Sequence, residues 1–275
     1  MDTSHIPWYC IGNSTEQKKI IYNYITKFMF CSHLTDWWLC NTSSELEPAA
    51  LSLSPKILPI GPLMESGDEF RSLGQFWEED LSCLNWLHQQ PPCSVVYIAF
   101  GSFTVFDPRQ LKELALGLDL TNRPFLWVVR EDVGGSTKNT YPDEFKGTRG
   151  KIVTWAPQQK VLSHPAIACF ISHCGWNSTM EGVFNGVPFL CWPYFADQLF
   201  DKGYVCDEWK VGLGFELDEK GIISRWEIKK KVDQLLGDAS IRKRSQNLKE
   251  MVVRSIAERG QSYENFSKFE DWLRG

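Results

Sequence analysis

The feature that most restricts this chain is a series of short, strongly apolar runs separated by stretches with helical spacing. Val95-Val96-Tyr97-Ile98-Ala99-Phe100 ends in Gly101-Ser102, and Phe125 to Val129 and Lys151 to Thr154 read as the next strands. Cys169-Phe170-Ile171-Ser172 and Val187-Pro188-Phe189-Leu190-Cys191 complete the set. A strand that alternates apolar and polar residues covers one face of a core, whereas a continuous apolar run is covered on both. Gln110 to Leu118 is spaced as a helix, and Pro108 suits its first turn, where an N–H would have no partner. Strands buried on both faces and joined by helices predict a parallel sheet in a doubly wound α/β domain.

The flanks read differently. Residues 17–30 place Ile20, Ile21, Tyr24, Phe28 and Met29 at the spacing of an amphipathic helix. Asp36 to Thr42 is a short apolar run closed by turn formers, which predicts a buried strand. Leu58-Pro59-Ile60-Gly61-Pro62-Leu63 holds two prolines and a glycine in six residues, an extended connector. The polar stretch from Glu65 to Leu73 strengthens that boundary. Helices near 224–237, 239–258 and 262–273 close the chain. Lys229, Lys230, Lys231, Arg242, Lys243 and Arg244 read as a solvated face rather than a nucleic-acid patch.

Bulk properties exclude several classes. At 275 residues the chain holds one large domain or a domain with an appendage. Hydrophobic content of 43% with 23% charged residues is that of a globule, and a net charge of −5 argues against nucleic acid. No apolar run approaches the ~20 residues of a membrane helix. Met1 to Cys10 has neither a basic start nor an apolar core, so export is unsupported and a cytoplasmic location is expected. Nine cysteines without CxxC spacing imply reduced, mostly buried thiols.

The chemistry concentrates in residues 155–198. Phe170 to Gly182 runs strand, tight loop, helix. Gly175 permits the sharp turn, and Asn177 or Ser178 is expected to cap the helix. Helix N–H groups then face the strand's carboxyl end, a natural phosphate site in the crevice where open parallel sheets bind ligands. His173 and Ser178 are placed to bond phosphate oxygens. Glu181, four residues past Asn177, shares its helix face one turn deeper, where a carboxylate can accept bonds from vicinal ribose hydroxyls. Trp155, at a strand end, offers a face on which a base can stack, and Asp197-Gln198 suits reading of sugar hydroxyls. Singly, each has an ordinary explanation: a core tryptophan, a solvated carboxylate, a helix start. Gly212-x-Gly214 lacks the third glycine of a dinucleotide fingerprint.

Jointly, WAPQQKVLSHPAIACFISHCGWNSTMEGVFNGVPFLCWPYFADQ, Trp155 to Gln198, resembles the 44-residue signature of plant secondary-product UDP-glycosyltransferases. Trp37 to Glu47 looks like the last strand of that family's acceptor domain, Ile60 to Leu63 like its linker, and Val95 to Ser102 like its first donor-domain strand and phosphate loop. The resemblance implies the Rossmann-like donor domain of a GT-B glycosyltransferase with a partial acceptor-domain remnant. Its divisions would be a remnant at 1–58, a linker at 59–75, a donor domain at 76–258 and a terminal helix at 259–275. It implies that Trp155 stacks on uracil with Ala156 meeting the base, and that Gln158 and Glu181 bind ribose. Ser102, His173, Gly175, Asn177 and Ser178 would hold the pyrophosphate; Trp176, Asp197 and Gln198 would contact the hexose. Gln198, with Trp176 where arginine could stand, favours UDP-glucose.

The implied reaction is an inverting, metal-independent transfer of glucose to a hydroxyl of a small phenolic, flavonoid or terpenoid metabolite. No cofactor beyond the UDP-glucose co-substrate and no metal is expected, and the chain contains no Asp-x-Asp. The base of such enzymes is a histidine near the start of the acceptor domain, a context that neither His5 nor His33 provides. A catalytic residue is therefore expected in a preceding domain, with self-association or an amino-terminal partner covering Ile20, Tyr24, Phe28, Trp37 and Trp38. Two alternatives stand beside this: a UDP-sugar-binding module without turnover, and a dinucleotide oxidoreductase, disfavoured because no strand leads into G-x-G-x-x-G.

Overall fold

Consecutive side chains of a strand point to opposite faces, and in the computed structural model both faces of the central strand are covered. Val95, Tyr97 and Ala99 belong to one buried cluster, Val96 and Ile98 to another. Phe170 lies in the first cluster and its neighbours Cys169 and Ile171 in the second. Each fully buried side chain of this size contributes roughly 1.5–3 kcal/mol.

The structure describes residues 14–64, 77–104, 107–130 and 145–275. The readings of Met1 to Cys10, of His5 and of the polar stretch from Glu65 to Leu73 lie outside the described residues. In chain order come α1 (Thr15–Ser32), β1 (Trp38–Cys40), α2 (Pro48–Leu51), β2 (Ile57–Pro59), α3 (Ser82–Leu87) and β3 (Val95–Ala99). Next are α4 (Pro108–Thr121), β4 (Phe125–Val128), β5 (Gly150–Val153), α5 (Gln158–Leu162) and β6 (Ile167–Ser172). After α6 (Trp176–Asn185) and β7 (Phe189–Cys191), α7 (Gln198–Gly203) runs into a π-helical turn, Tyr204–Glu208. The last elements are β8 (Gly212–Gly214), α8 (Arg225–Gly237), α9 (Ala239–Ile256) and α10 (Gln261–Arg274).

The larger sheet has the order β5-β4-β3-β6-β7-β8, with every neighbouring pair parallel. The chain enters at β3, works outward to β5, then crosses to the other side of β3 and continues to β8. That reversal leaves a crevice beyond the carboxyl ends of β3 and β6, where doubly wound sheets bind ligands. Local sequence supports the helices. The Asp107 carboxylate accepts the Arg109 N–H at 2.7 Å, Pro108 opens α4, and Asn122 closes it in the left-handed region at φ 62. Ser224 accepts the Glu227 N–H at the start of α8, which packs on α4 through the Glu113–Arg225 ion pair.

One strand reading narrows, and one strand was not read. The run from Asp36 to Thr42 is a strand only at Trp38–Cys40, and that strand is half-buried, because β2 pairs with it on one edge and cover is partial. Gly212-x-Gly214 carries no ligand signature; it is the edge strand β8, too short and glycine-rich to announce itself by apolar periodicity.

The amino-terminal elements hold to the rest by few polar bonds. The Trp176 indole N–H donates to the Asn41 carbonyl at 2.8 Å, and that of Trp209 to the Leu46 carbonyl at 3.1 Å. The buried Asn265 amide donates to the Pro59 carbonyl at 2.9 Å, while Trp37 packs its ring against Phe269 and Trp272. The face of α1 bearing Ile20, Tyr24 and Phe28 is exposed. No helix of the described residues is long and apolar enough to cross a membrane.

Candidate functional site

A cavity of about 650 Å³ opens beyond the carboxyl ends of β3 and β6. Eleven of the twelve candidate residues line it: Ser102, Trp155, Ala156, Gln158, His173, Gly175, Trp176, Asn177, Ser178, Glu181 and Gln198. Asp197 does not; it is exposed at the start of α7, and partial desolvation raises its carboxyl pKa.

One wall is the turn after β6. Cys174 takes the left-handed conformation at φ 65, and Gly175, at φ −62, is the N-cap of α6. The cap differs from the sequence reading: Asn177 and Ser178 lie inside the first turn, and no side chain caps the helix. Glycine is required at 175 for space rather than for its dihedral angles, since a Cβ there would lie 2.5 Å from His173 Nε2. A Cβ at Gly101, which is at φ 68, would meet the same nitrogen at 2.7 Å. The two glycines let the loops after β3 and β6 close around one imidazole. Burial pushes His173 down to about 4, so its ring is neutral at physiological pH and offers an N–H rather than a charge. The uncapped N–H groups at the start of α6 and the positive end of its dipole supply the electropositive character. The buried Arg130 guanidinium holds the Gly101 carbonyl at 3.2 Å.

A second wall is a hydrogen-bonded set. The Gln158 carboxamide donates to Ser178 Oγ at 2.7 Å and to Glu181 Oε2 at 2.6 Å, while its oxygen accepts from the Tyr97 hydroxyl at 3.1 Å. Gln159 donates to the other Glu181 oxygen at 3.3 Å. The carboxylate is thereby oriented while retaining lone pairs for further donors. Ser178 sits beside the Glu181 pair as well as in the first turn of α6. Trp155 is half-buried, with the Trp77 ring 6.4 Å away and tilted by 33°.

At the far end, Gln198 is buried and its Oε1 accepts the Tyr194 and Phe195 N–H groups at 2.8 and 3.0 Å. Only the amide's N–H donors remain for a ligand. Trp176 contributes main chain, because its indole N–H is engaged by Asn41 and its ring packs beside Tyr204 and Trp209. Tyr97, Gln159 and Trp77 are site residues that sequence reasoning missed. Tyr97 was hidden in an apolar run, and Gln159 stood in plain view beside Gln158. Among the described residues no group of three His, Cys, Asp or Glu side chains is placed to hold a metal ion.

The profile of the family described as "UDP-glucoronosyl and UDP-glucosyl transferase" matches residues 62–251. The chain belongs to this family. Relatives within it include UDP-glycosyltransferase 83A1 of Arabidopsis thaliana, 47% identical over 280 residues, which covers 100% of this chain and 58% of the relative. Linamarin synthase 1 of Manihot esculenta is 38% identical over 273 residues, covering 93% and 56%. Among solved structures, Phytolacca americana UGT2 complexed with UDP-2fluoro-glucose and pterostilbene aligns with a TM-score of 0.77 at 34% identity, covering 88% of this chain and 55% of that one. Os79 from O. sativa in complex with UDP gives 0.77 at 35%, covering 84% and 54%. The chain thus has a GT-B Rossmann-like fold and spans little more than half the length of these relatives.

Proposed function

We propose that the cavity binds UDP-glucose and that the protein is an inverting, metal-independent glucosyltransferase acting on a hydroxyl of a small phenolic, flavonoid or terpenoid metabolite. One observation carries the reading: an uncapped helix N-terminus, a paired glutamate–glutamine set and a buried glutamine line the same cavity. Trp155 stacks on uracil with Ala156 beside it, and Gln158 and Glu181 take the ribose hydroxyls. Ser102, His173, Gly175, Asn177 and Ser178 surround the pyrophosphate. The Gln198 amide and the Trp176 main chain take the hexose within the cavity, and Asp197, outside its lining, is left out of this set. The acceptor oxygen attacks the anomeric carbon as its proton passes to a base, the bond to UDP breaks, and the α6 terminus stabilises the departing diphosphate.

No described histidine is assigned as that base. His33 is exposed at the end of α1, His88 and His164 pack on each other, and His173 is buried in the phosphate loop. The placement favours a second reading, donor binding without turnover by this chain. We also assign the chain to the cytoplasm, with 1–58 as an acceptor-domain remnant, 59–75 as linker, 76–258 as donor domain and 259–275 as terminal helix. The exposed face of α1 supports self-association or an amino-terminal partner; sedimentation tests the former.

Calorimetry with UDP, UDP-glucose and NAD tests the donor site. Trp155→Ala should weaken UDP binding by roughly 1–3 kcal/mol, the worth of one base stack, and Glu181→Ala should weaken it with no loss of fold. Unchanged affinity in both variants would defeat the assignment. Product formation from a panel of phenolic acceptors separates turnover from binding.

A further inference from the structure

Three cysteine thiols lie together next to the site, and none of them lines the cavity. Cys191 ends β7 and is 1% exposed. Cys206 lies in the π-helical turn and is partly exposed. Their sulfurs are 3.7 Å apart. The wholly buried Cys174 thiol also neighbours Cys191, with its Sγ 3.5 Å from the Ser172 carbonyl.

A disulfide needs an S–S distance of about 2.05 Å, so one sulfur must move. Cys191 belongs to a strand paired on both sides, by β6 and β8. Cys206 belongs to a π-helical turn, an irregular segment with looser backbone geometry. The movement falls to Cys206, which is also the less buried residue of the two. Its pKa is lowered, first by a hydrogen bond with Cys191 and then by the Lys202 and Lys231 ammonium groups, and a thiolate is the attacking form. Burial raises Cys191 well above its ordinary value, so it keeps its proton until the second step.

We propose that Cys191 and Cys206 form a peroxide-sensitive dithiol that closes to an intramolecular disulfide. A hydroperoxide gives one oxygen to Cys206, yielding the sulfenic acid and water (or an alcohol). The Cys191 sulfur then attacks the Cys206 sulfur, an S–S bond forms, and the sulfenic hydroxyl leaves with the Cys191 proton as water. Two thiols are oxidised by two electrons and one peroxide is reduced.

The test uses the 275-residue chain with Cys10, Cys31 and Cys93 changed to serine, since Cys31 and Cys93 are exposed and would react independently. After treatment with hydrogen peroxide and dimedone, peptide mapping without reductant should find the Cys191 and Cys206 peptides joined, with the loss of two hydrogens. Adding Cys191→Ser should replace that link by a dimedone adduct on Cys206. Adding Cys206→Ser, at the partly exposed position, should abolish both products. A Cys174–Cys191 link, or a Cys206 adduct of equal yield with and without Cys191, overturns the proposal.

Discussion

Helices α1 and α4 carry the same kind of apolar stripe and meet opposite fates. On α4, Leu114 and Leu118 are at most 1% exposed, because the stripe lies between the sheet and α8. On α1, Ile20, Tyr24 and Phe28 are 63%, 70% and 71% exposed. Both helices have sound local signals, a Pro108 start and Asp107 cap in one, a Ser14–Gln17 capping box in the other. Amphipathic spacing therefore specifies a helix and the face it offers. Whether that face is buried depends on a second layer, which the sheet provides for residues 77–256 and no described element provides for α1.

The contrast is tested most severely at Phe170, which is fully buried between Tyr97 and Phe189. Phe170→Ala should cost about 3–5 kcal/mol by chemical denaturation. An equal loss from Phe28→Ala would show that α1 is covered in solution.

Acidification probes the buried site next. His173 is held near pH 4 and His164 is also depressed, in each case first by burial. At these two histidines the folded state binds fewer protons than the unfolded one, so their contribution to stability should be full above pH 6.5 and decline as pH falls towards about 4. Replacing His173 by glutamine should remove much of that slope, as followed by thermal unfolding against pH.

Asp201 has the opposite sign. It is 3% exposed with Oδ2 unpartnered, and burial, then Asp197 and Glu47, raise it to about 9. The folded state binds the extra proton, so stability is lost as pH rises from 3.8 through about 9. Asp201→Asn should raise the melting temperature at pH 8 and change it little at pH 4.

The smallest expected effects concern the seam between the two regions. Trp176→Phe or Trp209→Phe removes one indole donor from a main-chain acceptor, worth about 1 kcal/mol. Hydrogen exchange should quicken in residues 38–59 while the large sheet stays protected. Phe28→Ala should lie within about 0.5 kcal/mol of the parent.

Legibility tracked the range of the forces involved. Apolar runs marked β3, β4, β6 and β7 because a two-sided burial requirement leaves its mark residue by residue. β8 was not marked, since three residues containing two glycines carry no periodicity. In the site, the strand–loop–helix at 170–182 was readable from local chemistry. The partnership of Gln158, Gln159 and Tyr97 around Glu181 was not, because it joins three elements distant in the chain.

The amino-acid sequence by itself determined the doubly wound class, the helix and strand positions of the central region and the residues concentrated between Trp155 and Gln198. These depend on side-chain volume, polarity and backbone preference within one element. Tertiary structure alone decided that Gly175 serves His173 rather than a dihedral angle, that the Trp176 indole is tied to Asn41, and that Asp201 is buried. It also decided that two similar helices differ in burial. Each of those outcomes is set by which surface arrives opposite, and distance along the chain does not encode that.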